Sequence, residues 1–483
     1  MLTRLQVRGF KNLVDVDVRF GPFTCIAGFN GVGKSNLFDA ILFLRELAER
    51  PFVEAARAVR GGEDVRSLFT SPGDGLMTLA AELLIPMDGV DDFGQRAEAS
   101  NTFVRYEVSL QLERQGPGRP RDEIRLVSEE LSYITSGEAR SRLGFEHQKV
   151  WRDSVIRAGR RASYLSTDLL KGVVKRHQDR PRTEGAPKGG GRTWEFPLAT
   201  LPRTVLSSAR NAQEGQTAVL VRQALRGARL LQLEPAALRR PDDEGAPDHL
   251  EADGSHLPAT LYRLAGAWGS DEEAEAVYAT LANRLAELLE GVGGIRIDRD
   301  EKRKLLTLML KELQGPEFPA SSLSDGTLRF LALAVLEMDS EETGVLCLEE
   351  PENGIHPRRI GTMLELLQDI AVDPNEAVGP TNPLRQVLVN THSPAVVGQV
   401  PEGSLLFAEV SGKEAALRLR CVQGTWRTRT SAEAETIALG QVLAYLNPVP
   451  EASPPGKARV ADYARREVRQ LSLCFDPQEG DES

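Results

Sequence analysis

The chain is poor in cysteine, with four in 483 residues, and Cys25, Cys347, Cys421 and Cys474 are too scattered for a CxxC zinc or redox pair. Cys25 and Cys347 fall inside apolar, strand-like runs and read as small buried hydrophobes. A reduced, cytoplasmic protein is the simplest fit. No apolar run approaches the roughly 18–20 residues of a membrane span, so no membrane association is expected. Met1-Leu2-Thr3-Arg4 leads straight into an alternating strand pattern, and no signal peptide is visible. Internal repeats are lacking, as is any heptad pattern long enough for a coiled coil. The net charge of −11 excludes a protein that coats nucleic acid with its whole surface.

What is present is an ordinary globular composition, 41% hydrophobic and 27% charged, in a chain long enough for two or three lobes. The charge is uneven. Arg140 to Arg192 carries 14 Lys/Arg against 5 Asp/Glu, a local +9 against −20 for the remainder. Pro241 to Ser255 has six acids and neither Lys nor Arg.

The most informative stretch is Gly28-Phe29-Asn30-Gly31-Val32-Gly33-Lys34-Ser35. It lies between an apolar run, Phe23 to Ala27, and a helical segment, Ser35 to Arg50, where a GxxxxGK[ST] loop cradles phosphates. Its glycines let backbone N–H groups converge on an anion, and the helix N-terminus adds partial positive charge. Lys34 is expected to reach the β- and γ-phosphates and Ser35 to hold Mg²⁺. Asn30, Gly31, Gly33 and Asn36 complete the expected nucleotide contacts.

Around this loop, Leu2 to Phe20 reads as two antiparallel strands turning at Gly9 to Asn12. Leu37, Ile41, Leu44 and Ala48 form a helical stripe that faces a sheet. Strands are predicted over Met77 to Ile85, Asn101 to Leu112 and Ile124 to Thr135, with a loop at Gly116-Pro117-Gly118. The basic segment ends in Pro187-Lys188-Gly189-Gly190-Gly191, read as a mobile loop. Helical spacing follows over Thr217 to Gly227, Leu257 to Trp268 and Asp271 to Leu289, then a hairpin at Ile295 to Asp298 and Leu305 to Leu310.

Three further motifs lie some 290 residues beyond the loop. Val345-Leu346-Cys347-Leu348-Glu349-Glu350 is an apolar strand ending in two carboxylates. Successive strand residues point to opposite sides, so the two acids take different tasks: Glu349 is assigned to the metal and Glu350 to the attacking water as general base. Ser321 to Thr327 precedes a helix rich in Leu and Ala, with Ser324 and Gly326 placed either to cap it or to bind a second anion. Val387 to Asn390 is strand-like and leads into Thr391-His392-Ser393-Pro394, where a neutral His392 can sense a γ-phosphate.

The ordered set GFNGVGKSNLFDAI, SSLSDGTLRFLALAVL, VLCLEEPENGIHPRRI and LVNTHSPAVV resembles ABC-type ATPases of the SMC/RecF/OLD group, within the bacterial AAA-type ATPases. The resemblance implies an α/β fold, a P-loop NTPase with an ABC-type head: a mixed central sheet, an antiparallel β subdomain and a largely helical inserted lobe. The expected segments are 1–136 and 293–410 as the two halves of the head, 137–292 as a basic and helical insertion, and 411–483 as a small extension with an acidic tail. It also implies ATP and Mg²⁺ as cofactors, Lys34, Glu350 and His392 as catalytic groups, and Lys11 or Asn12 near the nucleotide. The RGFKNL opening carries that last expectation. Two protomers would sandwich ATP, each P-loop facing the partner's Leu323 to Thr327, with Pro351 to Pro357 near the seam.

The departures are specific. Glu349 replaces the usual Asp, and the signature reads SDGT rather than SGGQ. No glutamine stands out as the Q-loop residue, for which Arg60 to Phe69 is a substitute region. The 91 residues after His392 contain no Asp-x-Asp pair for a TOPRIM nuclease. The expected function is therefore an ATP-hydrolysing switch in phage defence or DNA maintenance, sensing nucleic acid through Arg140 to Arg192 or a foreign protein. It would control a separate nuclease or toxin. The alternative is an ATP-dependent assembly scaffold whose turnover is dispensable.

Overall fold

The alternation between Leu2 and Phe20 resolves into strands Leu2–Phe10 and Leu13–Arg19, antiparallel, with Leu5 opposite Val18 and Val7 opposite Val16 on the buried face. Lys11, in the turn, takes a positive φ of 49°. These observations come from a computed structural model that describes residues 1–70, 74–114, 122–179, 191–266, 271–412, 415–430 and 434–446. The 116–118 loop, residues 187–190, Cys474 and the tail 475–483 lie outside the described residues.

The first pair belongs to an eight-stranded antiparallel sheet. From one edge its order is Thr193–Pro197, Val173–His177, Leu165–Asp168, Glu123–Tyr133, Phe103–Glu113, Leu76–Leu84, Leu2–Phe10 and Leu13–Arg19. A second, seven-stranded sheet runs Arg229–Leu231, Gly344–Glu349, Arg385–Thr391, Phe23–Ala27, Leu405–Ser411, Ala416–Val422 and Thr436–Ile437. Its first five strands are parallel, and Ala416–Val422 returns antiparallel. The central strands Phe23–Ala27 and Arg385–Thr391 are buried along their whole length, as a parallel sheet covered on both faces requires.

Alternation along the acidic strand shows both coverings. Val345 and Cys347 pack into the core shared with helix Lys34–Leu47 and the antiparallel sheet. Leu346 and Leu348 pack into the core shared with helices Asp325–Met338 and Ile360–Ile370. Each fully buried aliphatic side chain contributes about 1.5–3 kcal/mol. The Leu37, Ile41, Leu44 and Ala48 stripe is buried, and Phe38, Phe43 and Leu47 widen it because this helix is covered on more than one side.

All three expected segment boundaries are crossed by hydrogen-bonded strands, the 292/293 line by the pairing of Arg229–Leu231 with Gly344–Glu349. Residues 165–197 supply three strands to the sheet begun within 1–136, so the basic segment is partly sheet rather than helix. These strands are short, and their cations obscured the alternation of Leu165, Val174, Trp194 and Phe196. Leu405–Ser411 likewise pairs with Ala416–Val422 across the 410/411 line. The remainder of 137–292 does carry helices, among them Gln216–Arg226, Leu257–Leu264 and Asp271–Leu288. The predicted hairpin is Val292–Asp300 with Leu305–Glu312.

Candidate nucleotide-binding site

The buried strand Phe23–Ala27 delivers the chain into the glycine-rich turn, and helix Lys34–Leu47 leaves it. Gly31 and Gly33 have φ of 82° and 100°, values that L side chains resist. A Cβ on Gly33 would also press on the Asn12 amide, which would have to give way and loosen its bond to the Val32 carbonyl. Asn12 Nδ2 donates to the Val32 carbonyl at 3.0 Å, and Asn36 Nδ2 donates to Asn12 Oδ1 at 2.8 Å. Asn12 thus braces the loop. Lys11 Nζ donates to Asp39 Oδ2 and to the Arg60 carbonyl, both at 2.7 Å.

A cavity of about 460 Å³ is lined by Asn30, Gly31, Gly33, Lys34, Ser35, Asn36, Glu349, Glu350, Asn353 and Asn390. The structure therefore gathers P-loop residues and both strand-end acids, although more than 300 residues separate them in sequence. Parallel register does this: Thr391 pairs with Ala27, and Asn390 with Glu349. Lys11, Asn12, Ser324, Gly326 and His392 do not line it. Lys34 is buried, and its ammonium donates to the carbonyls of Gly28 and Phe29 at 2.7 and 2.8 Å. Burial lowers its pKa, opposed by Glu350, Glu352 and Glu349.

The two acids have different surroundings, as strand geometry demands. Burial pushes Glu349 upward, but hydrogen bonds from Arg60 and Ser35 outweigh this and hold its carboxyl below the usual range. Arg60 grips it with both terminal nitrogens at 2.9 Å, while its Nε donates to Asp39 at 2.9 Å. Gln232, just after strand Arg229–Leu231, donates to Glu349 Oε2 at 3.3 Å. Glu350 sits in the left-handed region at φ 47°, a strain on the order of 1–2 kcal/mol for a residue with a Cβ. Its N–H is held by the Asn390 carbonyl at 3.0 Å and Oδ1 at 3.2 Å. Its carboxylate meets His392 Nδ1 at 2.6 Å and Asn353 Nδ2 at 2.9 Å. His392 reaches the cavity through Glu350.

Ser35 and Glu349 offer hard oxygen donors within hydrogen-bond reach of each other, a donor set that fits Mg²⁺. Ser324 caps helix Asp325–Met338, accepting from the Thr327 N–H at 3.2 Å, and Gly326 lies against Gly354. Arg60, Asp39, Gln232 and Asn353 were not identified as site residues from the sequence. Arg60 fell in the substitute region without a role, and Gln232 follows a strand of only three residues, too short for periodicity to register.

A larger cleft of about 740 Å³ lies elsewhere, lined among others by Arg4, Asp17, Arg105, Glu107, Arg418 and Glu435. Most of its charges are paired with one another, Arg4 with Asp17, Arg105 with Glu107 and Arg418 with Glu435, while Arg19 and Arg427 donate to backbone carbonyls. The basic segment is similarly compensated. Arg157 pairs with Glu98, Lys175 with Asp168 and Arg176 with Glu214, and Arg160 is spent on backbone carbonyls. Among the described residues no helix is long and apolar enough to cross a membrane.

The profile of the family described as "AAA domain, putative AbiEii toxin, Type IV TA system" matches residues 23–398, most of the chain and every motif from the P-loop to His392. The chain belongs to this AAA family. Within it, this is an ABC-type ATPase of the SMC/RecF/OLD-like group. The DNA replication and repair protein RecF of Magnetococcus marinus is 26% identical over 382 residues, 76% of this chain and 88% of that one. RecF of Porphyromonas gingivalis is 36% identical over 69 residues, 14% of this chain, and the match spans only 19% of that relative's length. The OLD nuclease of Thermus scotoductus is 51% identical over 41 residues, 8% of each chain. Among solved structures, an Smc head bound to the C-terminal winged-helix domain of ScpA has TM-score 0.47 at 14% identity, covering 86% of this chain and 97% of that one.

Proposed function

We propose that this AAA protein binds ATP between two copies of itself and hydrolyses it, using the ATP-bound and released states as a switch. The observation that carries the reading is the convergence of Lys34, Ser35, Glu349 and Glu350 on one cavity, with Glu350 hydrogen-bonded to His392 at 2.6 Å. Asn30, Gly31, Gly33 and Asn36 cradle the phosphates, and Lys34 neutralises the β- and γ-oxygens. Ser35 and Glu349 would hold Mg²⁺, which when bound would supply charge compensation for the phosphates. Glu350 accepts a proton from water as the water oxygen attacks the γ-phosphorus. The bond from that phosphorus to the β–γ bridging oxygen breaks, ADP leaves with the electron pair, and inorganic phosphate forms. Asn353 and His392 hold the Glu350 carboxylate for this task.

The second copy enters because Ser324 and Gly326, an anion-binding pair at a helix N-terminus, do not line the cavity that holds Lys34 of the same chain. The partner's loop would bring them to it. The test is Glu350→Gln, which keeps the size of the side chain and removes the base. We expect ATP to bind, hydrolysis to fall by about 10²–10⁴, and the protein to accumulate as an ATP-dependent dimer in sedimentation. A variant that hydrolyses at the parental rate sinks the assignment.

In the cell the switch serves DNA maintenance or phage defence through a separate nuclease or toxin; the relatives' names, a DNA replication and repair protein and a nuclease, and the toxin in the family's description support the DNA and effector parts of this reading. Nucleic acid would meet the exposed cations of the basic segment, such as Arg140, Lys149 and Arg161, because Arg157, Arg160, Lys175 and Arg176 are engaged internally. If Glu350→Gln retains full biological activity, ATP acts as assembly glue and the scaffold reading replaces the switch.

A further inference from the structure

Two loops meet beside the cavity, one following strand Gly344–Glu349 and one following Arg385–Thr391. The Glu350 N–H bonds to Asn390, and His392 Nδ1 bonds to Glu350. A second connection runs beneath the first. The Thr391 hydroxyl donates to Glu352 Oε1, and the same hydroxyl oxygen accepts the Ser393 N–H at 2.9 Å. Thr391 and Ser393 flank His392, so one buried hydroxyl fixes the backbone on both sides of the imidazole.

Glu352 is an expensive residue to keep in this place. It is 8% exposed, and its Oε2 is buried with no hydrogen-bond partner. Burial pushes its carboxyl above the usual range, with the Thr391 hydrogen bond acting against that. Thr391 is itself completely buried. Neither residue lines the cavity, so a direct contact with nucleotide is not what retains them.

We propose that Glu352 and Thr391 form a latch that holds the turn presenting His392 to Glu350, making both positioning residues for hydrolysis and not for nucleotide affinity. The inference rests on Glu350 being the base. Misplacing a catalytic group by an ångström is enough to lower a rate by about 10², and the Thr391 hydroxyl holds the Ser393 N–H directly after His392.

The experiment uses the full chain with four variants. Thr391→Val keeps shape and removes the hydroxyl; Thr391→Ser keeps the hydroxyl and removes the methyl. Glu352→Gln keeps an acceptor oxygen for Thr391, and Glu350→Gln controls for the base. Expected for Thr391→Val is a fall in kcat of at least about tenfold, with the ATP dissociation constant within about twofold of the parent. Thr391→Ser and Glu352→Gln should retain most of the rate. The latch is overturned if Thr391→Val turns over at the parental rate, if Thr391→Ser loses as much as Thr391→Val, or if affinity falls in step with kcat. Hydrolysis surviving in Glu350→Gln would instead overturn the base assignment on which the latch depends.

Discussion

Arg60 is the residue at which the site differs most from its motif description. Its guanidinium joins Asp39 on the P-loop helix to Glu349 at the end of the acidic strand. Replacing Arg60 by Ala removes a bidentate partner from a half-buried carboxylate, whose pKa then rises because only burial and weaker hydrogen bonds remain. Hydrolysis should fall by about 10–10³, with a smaller loss of ATP affinity, as steady-state kinetics and binding titration would show. Lys at this position should not restore the rate, since an ammonium cannot reproduce the two parallel bonds. Gly33→Ala carries a different expectation. The added Cβ presses on the Asn12 amide and makes the φ of 100° unfavourable, costing about 1–2 kcal/mol in strain alone, and nucleotide binding measured by calorimetry should be lost. Gly33, Lys34, Ser35, Glu349 and Glu350 were legible because their chemistry is carried by local spacing. Arg60, Gln232 and the Thr391–Glu352 pair were not, since their partners lie 21 to 289 residues away; Asn353 bonds Glu350 only three residues back, but in a turn that no periodicity describes.

Among the elements, helix Lys34–Leu47 couples the nucleotide loop to the antiparallel sheet. Its last carbonyls are tied down at a distance: Thr204 Oγ1 donates to the Leu47 carbonyl at 2.8 Å. The loop carrying Thr204 is held in turn by Glu129, which accepts from the N–H groups of Val205 and Leu206 at 2.6 and 2.9 Å and from Tyr106. Burial pushes the Glu129 carboxyl up to about 7, with those N–H groups opposing. A carboxyl raised in the folded state favours folding fully below its unfolded pKa, about 4.5, and loses that contribution as pH rises through about 7. Thermal melts should therefore show a falling Glu129 contribution between these values, flattened in Glu129→Gln. A slope unchanged by that substitution would refute the assignment. The buried stripe of this helix and the first two strands were readable from periodicity, which long amphipathic elements report well. Strands Leu165–Asp168, Val173–His177 and Thr193–Pro197 were not, because Arg176, stacked over Trp194 and Phe196, occupies an inward position that the pattern reserves for apolar residues.

For the molecule as a whole, parallel strand order brings residues near 30, 232, 350 and 390 to one end of a sheet, while Ser324 begins a helix on one covering layer. The sequence motifs implied that assembly only through resemblance, since no local pattern specifies which strands become neighbours. The charge distribution was legible as composition, but not which cations pair within the fold, as Arg157, Lys175 and Arg176 do, and which stay exposed, as Arg140, Lys149 and Arg161 do. A triple Ala substitution of Arg140, Lys149 and Arg161 should weaken duplex binding and flatten its salt dependence, whereas unchanged titrations at several salt concentrations would remove DNA from this segment.

The central claim, a site completed by a second copy, is tested most directly by mixing two inactive variants. Lys34→Ala disables every P-loop in its dimers, and Ser324→Arg disables every signature loop at a capping cost of about 1 kcal/mol. A mixed dimer places one intact P-loop against one intact signature loop. Equal mixing should restore roughly a quarter of the parental ATPase rate, since about half the dimers are mixed and each carries one intact site of two. No recovery on mixing, with both variants folded, or full hydrolysis by Ser324→Arg alone, would contradict the composite site.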